Sequence, residues 1–219
     1  RRQRQMCIRD SLYIDEKVGN GTATLTNMNI SGDVYVKGGG DNSVVFENCS
    51  ISGNIYVQKT SSEQVALKFD KNTADKLKGS VVVEGNGALL ESTGAKQNVT
   101  LKKVTVKTAN AVAIGTNVKE MQVTTANTNL TVNGTVDRLQ ADKAVTVKGN
   151  GTIYEKTDNV TVTDQVKTGV TGVSLNKTEL ALEVGETGTL EAKVEPNDAS
   201  NKGVTWSLSL IHISEPTRP

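Results

Sequence analysis

A repeat of 21 residues is the feature of this sequence that most constrains its fold. Leu25–Val36 reads LTNMNISGDVYV, and Phe46–Val57 reads FENCSISGNIYV at a constant offset. Six of the twelve aligned positions are identical, where ordinary composition gives about one by chance. The identical pairs are Asn27/Asn48, Ile30/Ile51, Ser31/Ser52, Gly32/Gly53, Tyr35/Tyr56 and Val36/Val57. A fixed internal period predicts a fold in which one structural unit stacks on the next.

The same theme continues more loosely along the chain. Short apolar-x-apolar segments recur, bounded by Gly, Asn, Asp or Lys, and glycine-rich turn signals lie at 38–40, 85–87 and 149–151. Val and Thr favour strands, whereas Gly and Asn favour turns. The pattern therefore predicts an all-β chain of short strands and tight turns. The recurring segments are Val81–Val83, Leu101–Val106, Met121–Val123, Leu130–Val132, Val145–Val147 and Val160–Val162.

Short strands at a spacing near 21 residues fit one coil of a parallel β-helix, whose coils stack about 4.8 Å apart. We predict such a solenoid over residues 12–166, and a right-handed one, because crossovers between parallel strands have that hand. Alternate side chains of each strand would point into a narrow core. The predicted inward residues are Val34, Val36, Ile55 and Val57, and the predicted outer stack is Tyr35 on Tyr56.

Two further pairs of the repeat are assigned structural positions. Asn27 and Asn48 would stack at a corner and pass amide hydrogen bonds from coil to coil, as in polar ladders. Gly32 and Gly53 are the second pair. The competing fold is an antiparallel sandwich or meander, which needs turns every 8–12 residues or so. That fold gives no reason for an identity at 21 residues.

The two ends of the chain do not resemble the rest. With permitted codons, Met6–Asp10 is encoded by ATGTGTATAAGAGACAG, and the reverse complement of this DNA encodes Leu208–His212. Unrelated protein segments have no reason to be opposite strands of one DNA, and this DNA resembles the transposon-end adapter of sequencing libraries. We therefore expect residues 1–11 and 208–219 to be adapter-derived and leave them out of fold reasoning. The alternative is a genuine basic arm and a genuine tail.

Without these flanks the available chemistry changes. They hold the single histidine, His212, five of the 25 basic residues and two of the 24 acidic ones, so the stretch between them has a net charge of −2. Cys49 becomes the lone cysteine and is predicted to be a small buried hydrophobe. A near-neutral chain without a basic, aromatic face argues against nucleic acid. The sequence also lacks the run of about 18 apolar residues that a membrane span requires.

Residues 21–166 resemble, in texture and period, the β-helical regions rich in Asn, Gly and Val of large Gram-positive surface proteins. Near Lys167–Gly172 the period breaks, and the segment that follows has a different character. Its pieces VSLNK, LAL, VGET, LEAKV, PN and NKGVTW, between Val173 and Trp206, closely resemble the opening half of the bacterial Ig-like group 2 domain. The resemblance implies a truncated Ig-like β-sandwich segment over residues 167–207 and an extracellular, cell-surface or cell-wall location.

The pattern of apolar and polar residues in this segment also predicts a β-sandwich segment. Leu180–Val184 alternates as a half-buried strand does, Gly185-Glu186 makes a turn, and Leu190–Val194 alternates again. Trp206 is the expected buried structural anchor of the next strand. A half sandwich cannot bury Trp206 or satisfy its edges, so we expect that this segment does not fold stably alone.

Catalysis finds little support in these residues. Without histidine, Ser-His-Asp, Cys-His and His-rich metal sites are excluded. A carboxylate pair stays conceivable, because many β-helix proteins are polysaccharide lyases or hydrolases. The repeat, however, places Asn54 where Asp33 stands, and the other candidates are scattered turn residues: Asp41, Asp70 and Asp75. We predict no catalytic residue, no metal site and no cofactor.

Tyr35 and Tyr56 are the candidate ligand-binding residues, because exposed aromatics in register can hold a sugar face. The alternative is an ordinary pair on a strand face. The predicted function is a non-catalytic structural and adhesive module of a bacterial cell-surface protein, with cell-wall or host glycans or surface proteins as partners. The alternative function is a non-catalytic fragment of a β-helical polysaccharide lyase or glycoside hydrolase.

Overall fold

The computed structural model describes residues 6–8, 10–40, 44–61, 63–94 and 98–207. Most of the sequence predicted to be adapter-derived, including His212, lies outside the described residues, and so does Asp41. Two compact units make up the chain, residues 1–169 and 170–219.

Short β-strands dominate the described part of the chain, with one short helix, α1 (Lys71–Lys76), and one 3₁₀ turn at Glu16–Val18. The strands of the first unit are β1 (Met6–Ile8), β2 (Leu12–Ile14), β3 (Ala23–Thr26), β4 (Met28–Ile30), β5 (Val34–Val36), β6 (Val44–Glu47), β7 (Ser50–Ile51), β8 (Ile55–Val57), β9 (Val65–Phe69), β10 (Val81–Val83), β11 (Ala88–Ser92), β12 (Thr100–Val106), β13 (Val112–Ile114), β14 (Asn117–Val123), β15 (Asn127–Val132), β16 (Thr135–Ala141), β17 (Val145–Lys148), β18 (Thr152–Lys156), β19 (Val160–Val162) and β20 (Lys167–Thr168). The second unit contributes β21 (Gly172–Leu175) and β22 (Ala192–Glu195).

The strands of the first unit form a parallel β-solenoid. Among the described residues, one sheet has nine strands in the order β2-β5-β8-β10-β12-β14-β16-β18-β20, and a second has eight in the order β3-β6-β9-β11-β13-β15-β17-β19. A third sheet holds β1-β4-β7. Neighbouring strands pair in parallel in all three sheets. The chain therefore returns to each sheet one coil further on, as predicted, and the antiparallel sandwich or meander is ruled out.

The core of the solenoid consists of apolar columns, because parallel strands in register place equivalent side chains on top of one another. Val34 pairs with Ile55 and Ile55 with Val81, and all three are fully buried. The prediction that Val34, Val36, Ile55 and Val57 point inward is confirmed by their complete burial. Burying one such side chain stabilises the fold by about 1.5–3 kcal/mol.

The length of the coil changes along the solenoid, so the spacing of 21 residues holds for the first repeat and not for the later coils. Tyr35 pairs with Tyr56 at an offset of 21, but Arg138 pairs with Glu155 at an offset of 17. The early coils contribute strands to the three-stranded sheet. In the later coils, β12, β14 and β16 are each seven residues long, and the alternation of buried and exposed residues is interrupted within each strand. Later coils therefore need fewer residues and lose their sequence identity with the first two.

The helix α1, which the sequence analysis did not predict, occupies one corner of the solenoid. Asp70 is its N-cap, and one carboxylate oxygen accepts a hydrogen bond from Thr73 N at 2.8 Å. The other oxygen accepts from Asn48 N at 3.1 Å, so Asp70 also ties the helix to the preceding coil. Thr73 Oγ1 in turn accepts from Cys49 N at 3.0 Å. Asp70 therefore has a structural role.

In the second unit, β21 and β22 pair antiparallel. The turn predicted at Gly185 is present, with Glu186 N donating to Glu183 O at 3.0 Å. The strand predicted at Leu180–Val184 is wrong, because this segment is not in a strand and Leu182 is 48% exposed. A strand needs a neighbouring backbone to pair with, and none of the described residues pairs with this segment.

Candidate functional site

Three tyrosines from successive coils stack on the outer face of the nine-stranded sheet. Tyr13 on β2, Tyr35 on β5 and Tyr56 on β8 are in direct register. Ring centroids are 4.9 Å apart for Tyr13 and Tyr35 and 5.2 Å apart for Tyr35 and Tyr56, with planes 11° from parallel in both pairs. The structure thus brings the two predicted residues together and adds Tyr13. The signal missed in the sequence is Leu12–Ile14, which repeats the apolar-Tyr-apolar pattern.

A polar ladder beside the tyrosines fixes their hydroxyl groups. Asn54 N donates to Asp33 Oδ1 at 2.7 Å, so the Asp33 side chain bridges two coils. Tyr35 OH donates to Asp33 Oδ2 at 3.4 Å, and Asn54 Nδ2 donates to Tyr56 OH at 3.1 Å. Loss of solvent on burial, followed by the nearby Asp33 charge, raises the pKa of Tyr35 above its usual range. The Tyr35 hydroxyl is therefore a protonated, oriented group at neutral pH.

The stacking decides which ring surfaces a ligand can reach. Tyr13 covers one face of Tyr35 and Tyr56 covers the other. The residue in register with Tyr56 in the next coil is Val82, which is 6% exposed. A sugar ring packs on an aromatic face, and the most exposed of the three rings is Tyr13, at 61%. A ligand on the stack meets ring edges and hydroxyls.

The asparagines and glycines of the repeat also lie one coil apart. Asn27 and Asn48 have left-handed backbone conformations with φ of 55° and 50°, which Asn tolerates better than most residues. Asn48 Nδ2 donates to Asn27 Oδ1 at 2.6 Å, so a corner ladder joins the two coils. At the turn before the tyrosine strands, Gly53 N donates to Gly32 O at 3.2 Å.

Charged side chains of the later coils line one open surface pocket, which is formed by Lys119, Glu120, Asp137, Arg138 and Glu155. Within the described ranges, no group of His, Cys, Asp and Glu is arranged to hold a metal ion. Asp75 forms an exposed ion pair with Lys71 at 2.7 Å. Cys49 is fully buried, and the loss of solvent raises the pKa of its thiol, so the nucleophilic thiolate is disfavoured. This burial confirms the prediction for Cys49.

A column of alternating charge follows the outside of the later coils. Lys103 pairs in register with Glu120, Glu120 with Arg138, and Arg138 with Glu155. Arg138 Nε donates to Glu155 Oε2 at 2.8 Å, and more than half of each side chain is exposed. Opposite charges in register favour the observed strand pairing. Arg138 is therefore occupied in a surface ion pair.

Comparison with known proteins finds a family to which one segment of the chain is similar. Residues 169–210 match the family of bacterial Ig-like domains (group 2), which is non-catalytic and typically occurs in extracellular proteins of the bacterial surface. No curated protein and no solved structure matches the chain. Trp206, within the matched segment, is 54% exposed. In the described part of the chain, no helix is long and apolar enough to cross a membrane.

Proposed function

We propose that this chain is a non-catalytic structural and adhesive module of a bacterial cell-surface protein. The observation that carries the proposal is the presence, in one chain, of a parallel β-solenoid and a bacterial Ig-like segment. Each coil of a solenoid contacts only its neighbours, so the fold can be lengthened coil by coil. Such a fold provides length and a regular outer surface, and neither of these requires an active site.

The adhesive part of the proposal concerns ligands outside the cell: cell-wall or host glycans, or surface proteins. The tyrosine stack (Tyr13, Tyr35 and Tyr56) supports it, because ordered rings in register present edges and hydroxyl groups with little loss of side-chain entropy on binding. All three tyrosines would contribute ring edges and hydroxyl groups to the contact.

The alternative, a fragment of a β-helical polysaccharide lyase or hydrolase, needs carboxylates that cluster on successive coils and face a substrate. Asp33 and Asp70 instead accept hydrogen bonds from backbone N–H groups of neighbouring coils. These bonds use the carboxylates for structure, which favours the non-catalytic function.

The experiment that tests the proposal measures retention of the full chain on immobilised bacterial cell walls, host glycans and surface proteins. A variant with Tyr13→Ala, Tyr35→Ala and Tyr56→Ala should lose glycan retention if the stack binds sugars. Tyr154→Ala is the matched control, because Tyr154 is 38% exposed and lies outside the stack. Calcium-dependent release of unsaturated sugars from a pectin-like polysaccharide would contradict the non-catalytic function.

A further inference from the structure

A groove follows one corner of the later coils. The described residues that line it carry no ionisable side chain. The Asn-Gly-Thr triplet at 133–135 returns at 150–152, an offset of 17 residues, and both triplets line the groove. Thr135 and Thr152 are directly in register. The full lining is Ser92, Asn98, Val99, Gly115–Asn117, Asn133–Thr135 and Asn150–Thr152. The repeated triplet is a sequence signal for this surface that the sequence analysis did not use.

One buried hydroxyl in the groove lacks a hydrogen-bond partner within the described part of the chain. Thr116 is 3% exposed, and its Oγ1 is the atom without a partner. An unsatisfied buried polar group costs about 1–3 kcal/mol, so such a group in a native structure needs a reason. Oγ1 is covered in the free chain, but Thr116 lines the groove, so a small rotation of its side chain would let a polar group of a bound molecule supply the missing hydrogen bond.

Two asparagine side chains of the groove are oriented by the next coil. Thr135 N donates to Asn117 Oδ1 at 3.1 Å, and Asn150 N donates to Asn133 Oδ1 at 3.4 Å. These bonds occupy the amide oxygens and leave the two Nδ2 groups to donate outward. Asn133 is exposed and Asn117 partly exposed. The two donors belong to successive coils, which stack about 4.8 Å apart, but to different columns, because Asn117 lies beside Thr135. The groove therefore presents hydrogen-bonding groups on each coil that it crosses.

The composition of the lining selects the class of ligand. The described lining residues carry neither a cation to pair with phosphate or carboxylate nor the carboxylates that Ca²⁺ prefers. Val99 is their one large apolar side chain, so the lining is unsuited to a lipid or an apolar peptide. Hydroxyl, amide and backbone groups suit a ligand that is uncharged and has many hydroxyl groups.

We propose that this groove binds an uncharged polysaccharide, with sugar hydroxyls on Thr116 Oγ1 and on the Nδ2 groups of Asn117 and Asn133. The inference rests on the proposed adhesive function and deepens it, since it places a glycan on a surface other than the tyrosine stack. Binding by hydrogen bonds alone is weak for each sugar, because every polar contact replaces one made with water. Affinity therefore rises with the length of the glycan as more coils are contacted.

The double variant Asn117→Asp with Asn133→Asp tests the proposal. Aspartate keeps an oxygen that accepts from Thr135 N or Asn150 N, but it replaces each outward donor with an acceptor. Asn176→Asp is the matched control, because Asn176 Oδ1 accepts from Glu191 N at 2.9 Å in the second unit, outside both the groove and the tyrosine stack. Each full chain is titrated by calorimetry with cellohexaose, chitohexaose, cellotriose and hexagalacturonate, after circular dichroism has shown that it is folded.

We expect the unsubstituted chain to bind an uncharged hexasaccharide more tightly than the trisaccharide and in preference to hexagalacturonate. The double variant should bind the hexasaccharide at least about tenfold more weakly, whereas Asn176→Asp should not. Thr116→Val removes the unpartnered hydroxyl while keeping its shape, and it should also weaken binding about tenfold.

Equal binding by the unsubstituted chain, the double variant and Thr116→Val overturns the inference. A Thr116→Val chain that melts at a higher temperature with unchanged binding does so too, because the hydroxyl is then a packing defect. If no uncharged hexasaccharide binds while the chain is still retained on cell walls or surface proteins, the groove proposal fails and the adhesive function stands. If every such retention is absent as well, the adhesive function fails with it.

Discussion

Gly53 lies directly above Gly32, so a Cβ atom on Gly53 would come within 2.6 Å of the Gly32 carbonyl oxygen. The same contact recurs one coil further on, where a Cβ on Gly79 would lie 2.5 Å from the Gly53 carbonyl carbon. The φ angles of these three glycines are not positive, so an unusual backbone conformation is not what requires glycine here. The close approach of successive backbones requires it.

Gly53→Ala should lower the free energy of unfolding by about 1–3 kcal/mol, because the added Cβ meets Asp33 Oδ1 and also the Gly32 carbonyl group, whose backbone atoms cannot rotate away. Gly115→Ala is the control, since its Cβ would meet Leu90 O at 3.2 Å and needs a shift of only a few tenths of an ångström. Urea unfolding followed by far-ultraviolet circular dichroism measures both. Equal stability of the two variants would contradict the packing argument.

The glycine, asparagine and tyrosine positions of the first coils could be predicted from the sequence for a physical reason. Parallel pairing in register places residues at one fixed offset next to each other, so identity at 21 residues reports direct contact. Tyr35 and Tyr56 satisfy this offset, whereas Tyr13 lies 22 residues before Tyr35 and escapes a strict repeat. A single inserted residue at a corner does not disturb the pairing of the strands on either side.

Other features carry no periodic signal and could not be predicted in this way. The helix α1 depends on local capping by Asp70, in one coil only among those described. The groove around Thr116 lies on the shortened coils. The offset of 17 residues between its Asn-Gly-Thr triplets indicates contact only when the pairing of β14, β16 and β18 is known. In the second unit, the alternation of apolar and polar residues at Leu180–Val184 predicted a strand. A strand also needs a neighbouring strand to pair with, and the alternation does not show whether one is present.

Asn48 should be more tolerant of glycine than of alanine. Its Nδ2 bond to Asn27 Oδ1 and its φ of 50° are separate requirements. Asn48→Ala loses the side-chain hydrogen bonds. It also holds alanine, which has a Cβ atom but no polar group that bonds locally, in the left-handed region, and this backbone conformation alone costs about 1–2 kcal/mol. Asn48→Gly loses only the side-chain hydrogen bonds, to Asn27 and from Lys76, so its free energy of unfolding should lie between those of Asn48→Ala and the unsubstituted chain. An alanine variant as stable as the glycine variant would show that the backbone conformation is not limiting.

Tyr35 should make the solenoid sensitive to alkaline pH. Burial and then Asp33 raise its folded pKa, so its contribution to stability is fully present below the unfolded pKa of about 10. The contribution is lost as the pH rises through the folded pKa, because the unfolded chain releases the proton first. As the pH is raised above about 10, the free energy of unfolding of Tyr35→Phe should therefore fall less than that of the unsubstituted chain. Urea unfolding measures both, and Tyr154→Phe is the control.

A spectroscopic titration separates the contribution of Asp33 from the other causes of this shift, which are burial and the neighbouring Tyr13 and Tyr56. Asp33→Asn removes the neighbouring charge but keeps an oxygen that can accept from the Tyr35 hydroxyl. The pKa of Tyr35 is read from phenolate absorbance as the difference between chains with and without Tyr35→Phe, and in Asp33→Asn it should fall toward its ordinary value. An unchanged pKa in Asp33→Asn would leave burial and the two tyrosines as the causes.

Trp206 reports the state of the Ig-like segment without interference, because it is the single tryptophan of the chain. With Trp206 54% exposed and Val173 and Leu175 exposed on β21, we expect the emission of a hydrated indole and ready quenching by acrylamide. Thermal melting of the solenoid should leave that emission wavelength unchanged. A polypeptide that supplies further strands of an Ig-like sandwich should bury Trp206 and shift its emission to shorter wavelength. Blue-shifted, protected emission from the chain alone would mean that these apolar residues already have a partner.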